Sequence, residues 1–106
     1  MPLIKIEFDN QKVKNEEIQA LSEAVKKIVS EVTAIEDVFV YANSAQIKVN
    51  IAPIEVFVEM TRKLTEKETL MEEIKTKLKD WKSSQNFTQP INLTLIPMDW
   101  KFEIGI

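Results

Sequence analysis

The sequence predicts an α+β protein in which two strand–helix–strand units form one four-stranded mixed sheet with two helices on one face. Apolar residues alternate with polar ones over several short stretches and recur every three or four residues over two longer ones. Two of the strands follow a proline, and these prolines, Pro2 and Pro53, lie 51 positions apart. The chain has 106 residues, enough for one domain, which we predict to span residues 1–106.

The first unit begins with the strand "LIKIEF" at residues 3–8. A helix follows, for which Asn15 is the predicted N-cap, because Glu16 and Glu17 place negative charge in its first turn. The second strand is predicted over residues 37–42. The apolar stripe predicted for the helix consists of Ile18, Leu21, Val25, Ile28, Val29 and Val32.

The second unit follows a short extended arm that is predicted over residues 47–51. Its first strand, "IEVFVEM", covers residues 54–60. The motif "TEKE" predicts a capping box between Thr65 and Glu68 at the start of the second helix. The fourth strand, "INLTLI", covers residues 91–96. The stripe of the second helix is Leu70, Ile74, Leu78 and Trp81, and a final short strand is predicted from the alternation of Trp100, Phe102, Ile104 and Ile106.

The composition excludes several classes of function. The net charge is −3 with acids and bases interspersed, so we expect neither a nucleic acid nor a membrane as partner. No apolar run approaches the ~18 residues of a membrane span, and we predict a cytoplasmic location. The chain has no His and no Cys, which excludes His and Cys metal sites and nucleophile–histidine pairs. The only glycine is Gly105, so a Gly-rich phosphate loop is excluded, and no cofactor or metal is expected.

Pro2 has two interpretations. Proline is tolerated as the first residue of a strand, where its missing N–H is not needed. Alternatively, removal of Met1 leaves Pro2 with a free secondary amine, held in direction by the strand behind it. Burial or a nearby cation lowers the pKa of such an amine toward the range that suits a general base. In a chain without His or Cys, the other proton-transfer groups are carboxylates, lysines and Tyr41.

Three segments, "MPLIKIEF", "PIEVFVEMTRK" and "LTLIPMDW", resemble the tautomerase superfamily, which includes oxalocrotonate tautomerase and macrophage migration inhibitory factor (MIF). The resemblance is closest to a small bacterial family of unknown function within it. It implies the MIF-like tautomerase fold and a homotrimer whose sheets face inward and whose C-terminal strands reach neighbouring subunits. It also implies keto–enol isomerisation of small keto acids, with Pro2 as the general base.

The resemblance also separates two folds that share the element order. In the tautomerase arrangement, the two strands of each unit run parallel and adjacent. The ferredoxin-like fold has the same βαββαβ order. We expect that fold to be recognisable by first and third strands that are adjacent and central.

Three further residues are candidates for substrate binding. Arg62 matches a basic position of the closer family, and its planar guanidinium suits a carboxylate. The alternative for Arg62 is a surface ion pair with Glu59 or Glu66. Tyr41 is a candidate hydrogen-bond donor to an enolate oxygen and Trp100 a candidate pocket wall, with simple packing as the alternative for both. The alternative function is a non-catalytic homotrimeric scaffold, or a protein of the same fold that binds a small ligand.

Overall fold

The structure is a computed structural model that describes residues 2–106, so the predicted removal of Met1 concerns a residue outside the described range. No helix in residues 2–106 is both long enough and apolar enough to cross a membrane. The elements in chain order are β1 (Leu3–Phe8), α1 (Asn15–Thr33), β2 (Phe39–Ser44), β3 (Ile54–Thr61), α2 (Arg62–Thr65), α3 (Leu70–Gln85) and β4 (Asn92–Met98).

The four strands form one mixed sheet in the order β2-β1-β3-β4. β1 is parallel to β2, β3 is parallel to β4, and β1 is antiparallel to β3. The predicted parallel, adjacent pairing within each unit is therefore confirmed. Our criterion for the ferredoxin-like fold was wrong, because β1 and β3 are adjacent and central here as well. The distinguishing feature is that neither unit is split by a foreign strand between its own two strands.

The hydrophobic core lies between one face of the sheet and the two long helices. The predicted core faces of the central strands are buried, and so are the main positions of both predicted helix stripes. Burial of apolar surface on this scale is the main driving force for the fold. The fully buried side chains include Ile4, Ile6, Leu21, Val25, Val29, Ile54, Val56, Val58, Met60 and Ile74.

The other side of the sheet, here called the second face, carries both apolar and charged side chains. One row across the strands contains Phe39, Leu3, Glu59 and Ile96, and the next contains Tyr41, Lys5, Phe57 and Thr94. Glu59 is buried, and its Oε2 lies 3.0 Å from Lys5 Nζ. Phe39 and Tyr41 remain 45% and 57% exposed. The second face therefore leaves aromatic surface that no part of the described chain covers.

The two predicted helix starts differ from the observed ones. α1 begins at Asn15 itself, and the N–H of the preceding Lys14 donates a hydrogen bond to Glu17 Oε1 at 3.0 Å. The capping box of Thr65 and Glu68 does not form. Thr65 ends α2, and its hydroxyl donates instead to the Arg62 carbonyl at 2.9 Å. Threonine hydroxyls compete for nearby backbone groups in this way, and α3 begins only at Leu70.

The predicted arm and final strand are not strands in the described chain. Residues 47–51 and 99–106 have extended sequence patterns but pair with no strand among residues 2–106. Val49 is 93% exposed and Ile104 is 72% exposed. A strand needs a partner for its backbone groups, and a single chain provides none here. β2 begins two residues later than predicted, and β4 extends through Pro97, which an edge strand tolerates.

Candidate active site

Pro2 lies at the end of the sheet where β1 begins. Its side chain is buried, and its carbonyl accepts a hydrogen bond from the Phe39 N–H at 3.2 Å. Leu3 is opposite Glu59 in the antiparallel ladder, so Pro2 falls beside Met60, the next residue of β3. We call this end of the sheet, at which β3 and β4 also end, the Pro2 end.

Arg62 lies at the same end, because it is the first residue after β3. Its Nη2 is 3.1 Å from Asp99 Oδ2, and its Nε donates to Asp99 Oδ1 at 3.4 Å. The predicted alternative of a surface ion pair is therefore observed, with Asp99 as the acid in place of the suggested Glu59, which is held by Lys5, or Glu66. The side chains of Arg62 and Asp99 are 55% and 74% exposed. Hydrogen bonding to the Asp99 carboxylate raises the pKa of Arg62, so the guanidinium stays charged.

Of the two aromatic candidates, one lies at the Pro2 end and the other does not. Trp100 follows Asp99 directly, is partly buried, and packs edge-on against Phe102 with ring centroids 6.4 Å apart. Tyr41 is opposite Lys5, farther along the sheet, and its side chain is on the second face. Within one chain, the candidates Pro2, Arg62 and Trp100 therefore lie at one end of the sheet, with Tyr41 set apart.

Asp99, the partner of Arg62, was not predicted from the sequence. The pairing of Met60 with Pro97 and of Thr61 with Met98 places the next two residues, Arg62 and Asp99, side by side. A sequence does not specify this register, because several alignments of β3 and β4 bury the same apolar faces. The motif "MDW" contains the only signal, an acid directly after a strand, and many surface acids share it.

A separate groove lies on the second face, toward the opposite end of the sheet. Its volume is about 370 Å³, and its lining includes Glu7, Glu55 and Phe57. Glu7 and Glu55 are directly opposite each other in the ladder, and Asn92 donates to Glu55 Oε1 at 2.9 Å. Among residues 2–106, no three acidic side chains converge to hold a metal ion. Of the candidate groups, Pro2 and Arg62 thus lie at the Pro2 end, whereas the carboxylates of Glu7 and Glu55 line the groove toward the other end.

Comparison with solved structures identifies the fold. The chain is similar to a fused 4-OT wild-type symmetric trimer, with a TM-score of 0.71, 14% identity, and coverage of 98% of this chain and 94% of that one. It is similar to malonate semialdehyde decarboxylase, with a TM-score of 0.71, 12% identity, and coverage of 98% and 92%. It is also similar to a domain of unknown function (DUF1904) from Sebaldella termitidis ATCC 33386, with a TM-score of 0.66, 10% identity, and coverage of 100% and 98%.

No family model matches the sequence, and no curated protein matches it by sequence. The identities to the solved structures are low, so the likeness concerns the fold. The chain has the fold of the tautomerase superfamily, as the sequence resemblance implied.

Proposed function

We propose that this protein is a homotrimeric tautomerase-fold isomerase that interconverts the keto and enol forms of small keto acids. The observation that carries the proposal is the common location of Pro2 and Arg62 at one end of the sheet. One residue is a candidate base and the other a candidate carboxylate ligand. The fold likeness to 4-OT and malonate semialdehyde decarboxylase supports the proposal.

The proposed reaction needs one proton acceptor and one anion-binding group. The neutral amine of Pro2, after loss of Met1, takes a proton from the carbon beside the substrate carbonyl and becomes an ammonium ion. The electrons of the broken C–H bond form the enolate, and its oxygen takes the proton back to give the enol. The neutral amine is the form that acts as a base, and burial or a nearby cation favours that form of an amine in general.

Arg62 holds the carboxylate in this proposal, and Trp100 forms one wall of the pocket. A guanidinium binds a carboxylate through two parallel hydrogen bonds, which fixes the orientation of the keto acid. Tyr41 lies two residues along β2 from Phe39, opposite Lys5, and its proposed role is to donate a hydrogen bond to the enolate oxygen.

A homotrimer is proposed from the exposed apolar surface as well as from the fold. The exposed side chains lie on the second face, in the arm at residues 47–51 and in the tail after β4. Exposed apolar patches and open strand edges favour association. Three of the similar solved structures are described as fused 4-OT trimers. Light scattering at micromolar concentration should give about three times the chain mass of 12.3 kDa. A monomer would contradict the trimer and any site shared between subunits.

The test of catalysis begins with the intact mass of untagged protein, which reports whether Met1 is removed. Protein with a free Pro2 amine should ketonise phenylpyruvate enol faster than buffer does. The matched control is the same chain with one extra residue before Pro2, which converts the amine to an amide without a basic lone pair. Activity that survives in the control would exclude Pro2 as the base.

The alternative function is a non-catalytic trimer that acts as a scaffold or binds a small ligand. One observation favours it, because the Arg62 guanidinium already has a carboxylate partner in Asp99. The two functions differ in the same assay. A scaffold shows no dependence of enol–keto conversion on the state of the N-terminus.

A further inference from the structure

The carboxylate of Asp99 occupies the Nε/Nη2 side of Arg62, one of the two sides on which a guanidinium can bind a carboxylate through two hydrogen bonds. Two nitrogens of the guanidinium, Nε and Nη2, donate to the two oxygens of Asp99 at 3.4 and 3.1 Å. This side-on arrangement is the bidentate geometry in which arginine binds carboxylates in general. A bound substrate acid and Asp99 therefore cannot both occupy this side of the guanidinium.

We propose that Asp99 is an internal competitor for Arg62, which a carboxylate ligand must displace in order to bind the Nε/Nη2 side of the guanidinium. The inference rests on the proposed function for the role of Arg62 as a carboxylate ligand. It adds a residue that sets how strongly the site binds acids. Asp99 acts through Arg62 and is not proposed to touch the reacting atoms.

The position of Asp99 allows it to leave. It is the first residue after β4, and residues 99–106 form no helix or strand in the described chain. Both side chains of the pair are more than half exposed, and exposed ion pairs contribute little because water screens them. A ligand with apolar contacts in addition to its carboxylate therefore has enough affinity to replace Asp99.

The competition also discriminates among acids. Because Asp99 belongs to the same chain, it is present at a high effective concentration beside Arg62. A bare carboxylate gains nothing over Asp99, since it makes the same two hydrogen bonds and loses more freedom of motion. We infer that the site favours acids with an apolar or aromatic group that can contact neighbouring surface such as Trp100.

The test measures the binding of phenylacetate, an aryl acid without a keto group, so that no turnover is needed. Calorimetry at constant ionic strength gives the dissociation constant, and the arginine Nε–H resonance of Arg62 reports the exchange of partners. Asp99→Asn should tighten binding about two- to fivefold, the range expected when one exposed ion pair is removed. Glu103→Gln makes the same charge change four residues along the tail and is the matched control, with less than a 1.5-fold effect expected.

A second variant keeps the result specific. In the Arg62→Gln background, Asp99→Asn should change phenylacetate affinity by less than 1.5-fold, since the group that both carboxylates seek is gone. If Asp99→Asn alone binds phenylacetate no more tightly than the original protein, the inference is overturned. It is also overturned if Glu103→Gln tightens binding as much as Asp99→Asn does, or if Asp99→Asn tightens binding equally in the Arg62→Gln background. Undetectable binding by Asp99→Asn at tens of millimolar would also overturn it. If affinity changes as expected but a free Pro2 amine gives no turnover, the proposed catalysis fails and the competition stands.

Discussion

Each of the two central strands is directly followed by a charged residue, and one of these residues is buried while the other is exposed. Asp9 directly follows β1, and Arg62 directly follows β3. Because β1 and β3 are antiparallel, these residues lie at opposite ends of the sheet. Asp9 is 6% exposed, whereas the Arg62 side chain is 55% exposed.

Asp9 is held by partners from two parts of the chain. Its Oδ1 accepts a hydrogen bond from the Gln11 N–H at 3.0 Å and lies 3.2 Å from Lys48 Nζ. Its own N–H donates to the Pro53 carbonyl at 3.0 Å. Lys48 also contacts Asn10, so the arm that includes Lys48 is fastened to the turn before α1. Asp9 thus organises the turn between β1 and α1.

Arg62 forms an ion pair with one exposed residue, Asp99. Asp99 is followed by residues 100–106, which form no helix or strand in the described chain. The short α2 that begins at Arg62 has no buried residue, while six residues of α1 are buried. The residues that directly follow the first strand of each unit therefore differ in burial and in their partners. We expect the Asp9 junction to determine stability and the Arg62 junction to determine binding.

The largest expected effect is on activity, at Arg62. If the proposed function is right, Arg62→Lys should lower kcat/KM for a keto acid about tenfold or more. A lysine ammonium cannot reproduce the two parallel hydrogen bonds, and a hydrogen bond to a charged group is worth about 1.5–3 kcal/mol. The melting temperature should change by no more than about 3 °C, because the residue is exposed.

The control for Arg62 is its neighbour Lys63, which is exposed and is given no role in the site. Lys63→Gln should leave kcat/KM within about twofold of the original value, since loss of a nearby exposed charge is largely screened. Equal losses in the two variants would mean that general charge, and not the guanidinium, accounts for the effect.

The next effect is on stability, at Asp9. Asp9→Ala should lower the melting temperature by roughly 5–15 °C, because it leaves the Gln11 N–H and Lys48 without their acceptor. Calorimetry measures the change. Asp80→Ala removes an exposed acid from α3 and should shift the midpoint by no more than about 3 °C. A midpoint for Asp9→Ala as close to the original as that of the control would contradict the proposed structural role.

The smallest expected effect is the pH dependence of the stability that Asp9 contributes. The hydrogen bond from the Gln11 backbone, with help from Lys48, holds the pKa of Asp9 below its ordinary value of 3.8. The folded state therefore binds its proton less readily than the unfolded state. The stability that the ionised carboxylate adds to the folded state is present in full well above pH 3.8. It is lost as the pH falls through the lower pKa that Asp9 has in the folded state.

Asp9→Asn provides the measurement, because asparagine keeps the acceptor oxygen but has no charge to titrate. The difference in melting temperature between the original protein and Asp9→Asn should be constant from pH 7 to about pH 5 and should shrink toward pH 2. A difference that stays constant over the whole range would show that the charge of Asp9 adds no stability.

The fold was predictable where burial and periodicity agree. The strand over residues 3–8 and the stripes of both long helices appear as predicted, because one buried face imposes a period of 2 on strands and 3.6 on helices. The predicted capping box of Thr65 does not form, because the Thr65 hydroxyl donates its hydrogen bond to the nearby Arg62 carbonyl. The predicted final strand at residues 100–106 does not form in the described chain, because a strand needs a neighbouring strand to pair with. The alternation of apolar residues does not show whether the chain supplies one.

The sequence alone determined most of the apolar core, the four strands of the sheet, the two long helices, and that Pro2 directly precedes the first strand. These follow from local periodicity and composition, which each short segment carries by itself. Only the tertiary structure decided that Asp99 pairs with Arg62, that Glu59 pairs with Lys5, and that Pro2 and Arg62 share one end of the sheet. Those contacts depend on strand order, direction and register, which arise from the packing of segments more than thirty residues apart.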